Sequence, residues 1–294
     1  MASDKSRLDD TDVIDISHVR LNSIVVDAPS SRASSFYEEG DNNVTACSFQ
    51  SIWSRFADSN LAAEKAQAAE LIEKGQLASY NSSSSKFHNC ICGSARSRPQ
   101  PLRAGVLADE QVLIVALSKV NFSDSNPLHW ELLCSFYKHI IETGKKAVPR
   151  YGSHWENVGF QGTDPATDLR GVGVFGLCQL LFLVSNGLSS QMTTQLIELS
   201  RDKVQNFPFA IVGLNFTQYI LERLKQGKLN SLATKDNSCI SVVNGIYRGC
   251  FIVFYRMWKT RGCTILEFST ISNEIKSLIK RRPKYLLNMA VLQG

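Results

Sequence analysis

An uncharged stretch of 18 residues, 171–188, limits how this chain can fold more than any other feature. It reads GVGVFGLCQLLFLVSNGL and lies at the lower edge of the length that spans a bilayer. Three glycines and a Ser-Asn-Gly stop leave about a dozen strongly apolar residues, which suits a helix buried on all sides in a globular protein. We therefore predict a core helix here. Residues 240–255 are similarly apolar but are interrupted by Asn244 and Arg248, so no membrane-spanning segment is expected.

A dense polar loop leads directly into this stretch, and Arg170 stands at the junction. A cation at the start of a helix faces the positive end of the helix dipole and is mildly disfavoured there. Thr167 and Asp168 are good N-cap residue types just before the apolar stretch, and a carboxylate here can lie beside the guanidinium. The surrounding glycines and Pro165 specify the backbone further. We therefore expect the loop to hold Arg170 in a defined position.

The spacing of residues in WENVGFQGTDPATDLRGVGVFGLCQL, residues 155–180, resembles the signature of the ELMO domain. That signature is Trp, three residues, Gly-Phe-Gln, three residues, Pro, one residue, Thr-Asp, one residue, Arg-Gly, one residue, Gly, then two spaced leucines. The matching positions are Trp155, Gly159, Phe160, Gln161, Pro165, Thr167, Asp168, Arg170, Gly171, Gly173, Leu177 and Leu180. The resemblance continues through the later apolar segments and spans residues 109–292.

The resemblance implies a protein that stimulates GTP hydrolysis by an Arf or Arf-like small GTPase in its GTP-bound form. In that family the arginine of the signature is thought to act on GTP, and it maps to Arg170. The related engulfment and cell motility scaffolds keep the domain but lack this arginine, and the resemblance implies that they act as partners of Rac exchange factors. Because the chain keeps the whole Thr-Asp-x-Arg-Gly block, the GTPase-activating branch is favoured.

Phosphoryl transfer needs positive charge over the γ-phosphate oxygens and a well-placed water, and an arginine supplied in trans accelerates it by about 10³ to 10⁵. Arg170 is accordingly the candidate catalytic residue. Asp168 is interpreted as a helix cap or as a group that orients Arg170. Gln161 is interpreted as closing the loop through its amide, with the positioning of water as the alternative. Together with Thr167 and Gly171, these two residues form the predicted supporting loop.

A second interpretation gives Arg170 no contact with a substrate. Asp164 and Asp168 flank it closely enough to form an internal ion pair that pins the loop. The protein would then be a non-catalytic scaffold or effector that binds a small GTPase or its exchange factor. A buried, paired Arg170 favours this alternative, and an exposed guanidinium favours catalysis. Trp155 and Phe160 are predicted to be core anchors under the loop.

Other classes of site find little support. The chain has no Gly-x-Gly-x-x-Gly or Gly-x4-Gly-Lys-Ser/Thr fingerprint, so neither intrinsic nucleotide hydrolysis nor a cofactor is expected. His88, Cys90 and Cys92 lack the four ligands and paired spacing of a structural zinc site, so no metal is expected. The net charge of +5 comes without a basic stripe interleaved with aromatic residues, so nucleic acid is not an expected partner.

A basic run near the C-terminus leaves one further partner open. Such a run is usually a solvated helix face, but it could also meet anionic lipid or an acidic GTPase surface. The eight cysteines are scattered and follow no secretory signal, which favours reduced thiols and a cytoplasmic location, with peripheral contact to membranes or the cytoskeleton as a further option. The residues of the run are Lys276, Lys280, Arg281, Arg282 and Lys284.

The predicted architecture is all-α, because no segment shows sustained alternation with hairpin turns and no fixed-period repeat is present. Residues 1–48 are predicted to be a disordered tail, 49–77 a short helical segment that ends at Gly75, 78–104 a Ser-rich linker, and 105–294 a single compact ELMO domain. The predicted helices of that domain are 109–119, 126–143, 173–184, 191–205, 207–225, 238–259, 266–280 and 284–292.

Overall fold

A computed structural model describes residues 45–84, 100–141 and 147–291 of the chain. Nearly all of the predicted N-terminal tail and most of the predicted linker lie outside the described residues. So do His88, Cys90 and Cys92.

The described residues contain eleven α-helices and no strand, which confirms the all-α prediction. A π-helical turn, Leu183–Gly187, extends α5, and 3-10 turns cover Ser153–Val158, Pro165–Leu169 and Ile265–Glu267. The helices are α1 Phe49–Ala57, α2 Ala62–Ser84, α3 Val106–Leu117, α4 Pro127–Ile140, α5 Gly173–Phe182, α6 Ser190–Ser200, α7 Phe209–Lys225, α8 Asn230–Asp236, α9 Cys239–Arg261, α10 Phe268–Arg281 and α11 Pro283–Val291.

Local side-chain chemistry explains where several helices begin. Asn126 caps α4 by accepting from the N–H of Leu128 at 3.0 Å, and Ser238 caps α9 by accepting from the N–H of Ser241 at 3.1 Å. Glu110 of α3 also accepts from the N–H of Cys239 at 2.6 Å, which places a carboxylate at the positive end of the α9 dipole.

All eight helices predicted for the main domain are present, with ends that differ by a few residues. The prediction missed α8, Asn230–Asp236. This helix has only seven residues and stops at Asn237, which adopts a left-handed backbone with φ of 58°. Two turns of helix are too short to show a 3.6-residue periodicity in the sequence.

The core is built around α5, α7 and α9. Residues 173–181 of α5 are all buried, which confirms the prediction of a core helix. Helices α1, α3, α4, α7 and α9 all contact α5. No single helix in the described part of the chain is both long and apolar enough to cross a membrane. Helices α8 and α9, bent by 109°, pass that test only as a pair, by length and composition.

The N-terminal helical segment belongs to the same core as the rest of the described structure. Phe49, Trp53 and Phe56 of α1 are buried, and the Phe49 ring packs edge-on against Phe182 with 5.4 Å between centroids. The N–H of Phe49 donates to Oγ of Ser185 in the π-helical turn at 3.1 Å. Helix α1 therefore covers apolar surface of α5 that would otherwise face water.

Two boundaries predicted for this region are wrong. Helix α2 does not end at Gly75, and no linker begins at residue 78, because the helix continues to Ser84. Gly75 lies where α2 crosses the end of α7, and a Cβ atom there would come within 2.7 Å of the carbonyl oxygen of Lys225. The glycine permits this close helix contact and does not act as a stop signal.

We predict that Phe56→Ala lowers the free energy of unfolding by about 3 to 5 kcal/mol, because it removes a buried ring of α1. The matched control is Gln50→Ala on the exposed face of the same helix, expected to change stability by less than about 0.5 kcal/mol. Urea denaturation followed by circular dichroism measures both. Equal, small effects of the two substitutions would show that α1 is not part of the cooperative core.

Candidate functional site

Two buried aromatic side chains anchor the signature loop. Trp155 is fully buried and Phe160 is 3% exposed, and their rings pack edge-on at 6.2 Å between centroids. The indole N–H of Trp155 donates to the carbonyl oxygen of Arg150 at 3.0 Å, so its polar atom is satisfied inside the core. The prediction that both residues are core anchors is confirmed.

Gly159 brings this loop into direct contact with the start of α7. Its φ is +87°, and a Cβ atom there would lie 2.2 Å from the backbone nitrogen of Phe209. Its carbonyl oxygen accepts from the N–H of Ile211 at 3.1 Å. Both the backbone conformation and the available space therefore require glycine at this position.

A 3-10 turn, Pro165–Leu169, carries the loop to Arg170. The N-cap of this turn is Asp164, whose Oδ1 accepts from the N–H of Ala166 at 2.9 Å. The hydroxyl of Thr167 donates to the carbonyl oxygen of Asp164 at 2.8 Å, which tightens the same turn.

The expectation that Thr167 or Asp168 caps the following core helix is wrong. Helix α5 has no side-chain cap, and the N–H of Val174 donates instead to the carbonyl oxygen of Val120 at 3.0 Å. This contact depends on Gly173, because a Cβ atom there would lie 2.6 Å from the carbonyl oxygen of Leu117. A neighbouring main chain thus replaces the cap.

Asp168 closes the loop through a hydrogen bond from the main chain of Gln161. It is 5% exposed, and its Oδ2 accepts from the N–H of Gln161 at 2.7 Å. Burial raises the pKa of its carboxyl from 3.8 to about 6, although the hydrogen bond from Gln161 and the positive charge of Arg170 both act to lower it. Arg170 therefore influences the Asp168 carboxyl electrostatically, although the two side chains form no ion pair.

Arg170 lies at the surface, immediately before the buried helix. Its Nε donates to the carbonyl oxygen of Thr167 at 3.1 Å, which fixes the base of the guanidinium on the turn. Within the described residues no carboxylate forms an ion pair with Arg170, so Asp164 and Asp168 do not bind it as the internal ion-pair hypothesis required. The next residue, Gly171, turns the chain inward with a φ of +86°.

The arginine that does pin the loop is Arg150, which the sequence analysis did not identify. Its side chain is 15% exposed, and it binds Asp164 at 2.8 Å through one terminal nitrogen and Asp124 through Nε. Its guanidinium also stacks over the rings of Phe122 and Tyr151, at 4.7 and 4.5 Å from their centroids. The two carboxylates are 26 and 14 residues away in sequence, so no local spacing marks the pairing.

A chain of hydrogen bonds links the largely buried Arg150 to the exposed Arg170 and forms a rigid support for it. Arg150 binds Asp164, the main chain of Asp164 holds Thr167, and the main chain of Thr167 holds Arg170. The terminal nitrogens of Arg170 have no hydrogen-bond partner among the described residues. Such an arrangement can present a guanidinium to an anionic group on another molecule. No group of three His, Cys, Asp or Glu side chains in this part of the chain is placed to hold a metal ion.

Comparison with known proteins gives a consistent result. The model of the ELMO/CED-12 family matches residues 112–272. The chain is 32% identical to ELMO domain-containing protein 3 of Mus musculus over 234 residues, which cover 73% of this chain and 61% of that protein. It is 30% identical to the Homo sapiens protein of the same name over 243 residues, covering 76% and 63%. ELMO domain-containing protein B of Dictyostelium discoideum is 29% identical over 164 residues, covering 55% and 56%.

These matches confirm the resemblance drawn from residues 155–180, which lie inside the matched range. The chain spans less than two thirds of the length of these curated relatives. Helices α1 and α2 precede the range that the family model covers. No solved structure matches the chain.

We predict that Gly159→Ala lowers the free energy of unfolding by about 3 kcal/mol or more, because the new methyl group meets the α7 backbone in a left-handed conformation. The matched control is Gly162→Ala in the same loop, where φ is +66° but no atom lies within 4 Å of the added Cβ. Its expected cost is about 1 kcal/mol. Thermal and urea unfolding measure the difference, and equal costs would contradict the close approach to α7.

A second prediction concerns the pH dependence of stability. Because the pKa of Asp168 is raised to about 6 in the folded protein, the folded state binds this proton more tightly than the unfolded state does. Asp168 therefore favours folding below pH 3.8, and this contribution is lost as the pH rises through about 6. The loss is about 3 kcal/mol. Asp168→Asn should abolish this part of the slope and be the more stable protein at pH 7, as measured by urea unfolding between pH 4 and pH 7. Parallel stability curves for the two proteins would contradict the buried carboxyl.

Proposed function

Since the chain belongs to the ELMO/CED-12 family, we propose that it is a GTPase-activating protein that supplies Arg170 in trans to an Arf or Arf-like small GTPase. The observation that carries the proposal is the exposed guanidinium of Arg170, anchored through Nε and without a carboxylate partner in the described part of the chain. The protein would hydrolyse no nucleotide by itself. The GTPase would contribute its own phosphate-binding loop and Mg²⁺.

Electrostatics at the start of α5 support this role. The N-terminal end of a helix carries partial positive charge, and Arg170 adds a full positive charge just before it. Without a carboxylate ion-paired to it, this concentration of positive charge is mildly unfavourable in the free protein. An anionic phosphate brought by a partner would relieve it, so the site is more favourable for a phosphate-bearing partner than for an uncharged one.

The rigid support under Arg170 matters for catalysis as well as for binding. An arginine accelerates phosphoryl transfer only when it stands over the developing charge in the transition state. The Nε hydrogen bond to Thr167 leaves the two terminal nitrogens to make a forked contact with phosphate oxygens. Arg150 and Asp164 hold the turn from below, so we assign them a positioning role and not a contact with GTP.

The partner would be met in the cytoplasm, where GTP-loaded small GTPases act. The alternative is a non-catalytic module that binds a small GTPase or its exchange factor and uses the same loop only as a docking surface. The two functions differ in one measurable property. A GTPase-activating protein accelerates hydrolysis, whereas a docking module or effector leaves the rate unchanged or slows it.

The test is single-turnover hydrolysis by a panel of GTP-loaded Arf and Arf-like proteins, with wild type, Arg170→Lys, and the matched control Arg103→Lys at an exposed arginine outside the loop. We expect acceleration by wild type and by the control. Arg170→Lys should lose about 10³-fold in rate, because lysine cannot make the forked phosphate contact. Its affinity for the GTP-bound partner should change much less.

Two results would count against the proposal. Binding without acceleration on every member of the panel would favour the docking module. Acceleration that survives Arg170→Lys would keep the GTPase-activating function and remove Arg170 from its chemistry.

A further inference from the structure

The positive charge of this chain is concentrated at one end of the sequence. Residues 275–294 contain five of the 32 lysines and arginines and none of the 27 acidic residues. The remainder of the chain therefore has a formal net charge of zero, and the whole net charge of +5 belongs to this stretch. A solvated helix face normally mixes both signs, so an unmixed cluster of this kind needs a separate explanation.

The fold gathers four of these cations at the turn between α10 and α11, and we call this group the basic corner. Its members, Lys280, Arg281, Arg282 and Lys284, are all exposed. The N–H of Arg282 donates to the carbonyl oxygen of Leu278 at 2.7 Å, so the turn is an ordered part of the fold. The four side chains thus project from a fixed backbone.

Neighbouring residues leave this charge unbalanced. Among the described residues no carboxylate forms an ion pair with any of the four cations. Glu274, the last acidic residue before them, is already bound to Arg261 at 2.6 Å. On the adjoining end of α7, Arg223 donates to the carbonyl oxygen of Lys280 at 3.3 Å and adds another cation beside the corner. Glu222 is the nearby carboxylate on that helix, and it acts on Arg223.

We propose that the basic corner docks this protein on a membrane surface that contains anionic phospholipid. Long, exposed cations on a turn can reach a plane of lipid phosphates without the fixed hydrogen-bond geometry that a protein partner would require. Tyr285, 41% exposed and next to Lys284, supplies the kind of amphipathic ring that settles at the lipid headgroup level. Each such cation strengthens binding to an anionic membrane about five-fold.

Docking through the basic corner leaves the Arg170 turn accessible. Gln218 of α7 faces that turn, with its Nε2 3.9 Å from the Cβ position of Gly171. Arg223, beside the basic corner, is five residues further along the same helix, which is a rotation of about 140° and a rise of about 7.5 Å. The two surfaces therefore lie on different sides of α7 and can be occupied at the same time. Membrane docking does not depend on the function proposed for Arg170.

The experiment is vesicle co-sedimentation of the full chain in about 50 mM salt, with vesicles of phosphatidylcholine alone or with phosphatidylserine added. The test variant replaces Lys280, Arg281, Arg282 and Lys284 with Gln. The control variant makes the same change in net charge by replacing Lys74, Arg103, Lys203 and Lys235, which are exposed elsewhere. Circular dichroism verifies that all three proteins are folded.

We expect wild type and the control variant to bind vesicles that contain phosphatidylserine, and to bind pure phosphatidylcholine weakly. The test variant should bind the anionic vesicles about 600-fold less tightly, since four cations each contribute about five-fold, and high salt should release the wild type. The proposal is overturned if wild type ignores the anionic lipid, or if both variants lose binding equally. Release by millimolar inorganic phosphate at constant ionic strength would assign the corner to a phosphate site and not to a membrane. A test variant that binds vesicles normally but fails to bind a soluble GTPase would assign it to an acidic protein surface.

Discussion

Burial of α5 on all sides is the constraint from which the rest of the structure follows. Nine consecutive residues of this helix are removed from water, so five other helices must pack around it. The gain from hiding its apolar surface stabilises that arrangement. At its N-terminal end the buried helix meets solvent through the loop before its first residue, where Arg170 and Gly171 are exposed. Arg170 stands at that point because a charged side chain is stable at the end of a buried helix and not within it.

The signature loop uses two arginines for different purposes. Arg150 is largely buried, and a buried guanidinium is stable only when its charge and donors are matched, here by Asp124 and Asp164. Arg170 is exposed and ion-paired to neither of the aspartates that flank it in sequence. The hypothesis that Arg170 forms an internal ion pair was therefore wrong, because Asp164 is bound to Arg150 instead. The consequence is a firmly held loop that presents an available cation.

Features that depend on neighbouring residues were predicted from the sequence, whereas features that depend on contacts between residues far apart in the chain were not. Helices with several turns of 3.6-residue periodicity were predicted, and the short α8 was missed because two turns carry no such period. Gly75 looked like a stop because glycine is frequent at helix ends, yet it serves a contact with α7 that is far away in sequence. The cap of α5 was assigned to Thr167 or Asp168 because both are frequent N-cap residue types. In the structure the carbonyl oxygen of Val120 accepts from the N–H of Val174 instead.

The amino-acid sequence alone predicts the all-α class, a core helix within residues 171–188, the family signature and the position of Arg170 just before that helix. These properties depend on residue type and local spacing, which the chain displays directly. Three other features emerge only when the chain is folded: α1 completes the core, Arg150 binds Asp164, and Arg170 remains exposed. Each of these features depends on contacts between residues that are far apart in the sequence, and no local sequence pattern specifies such contacts.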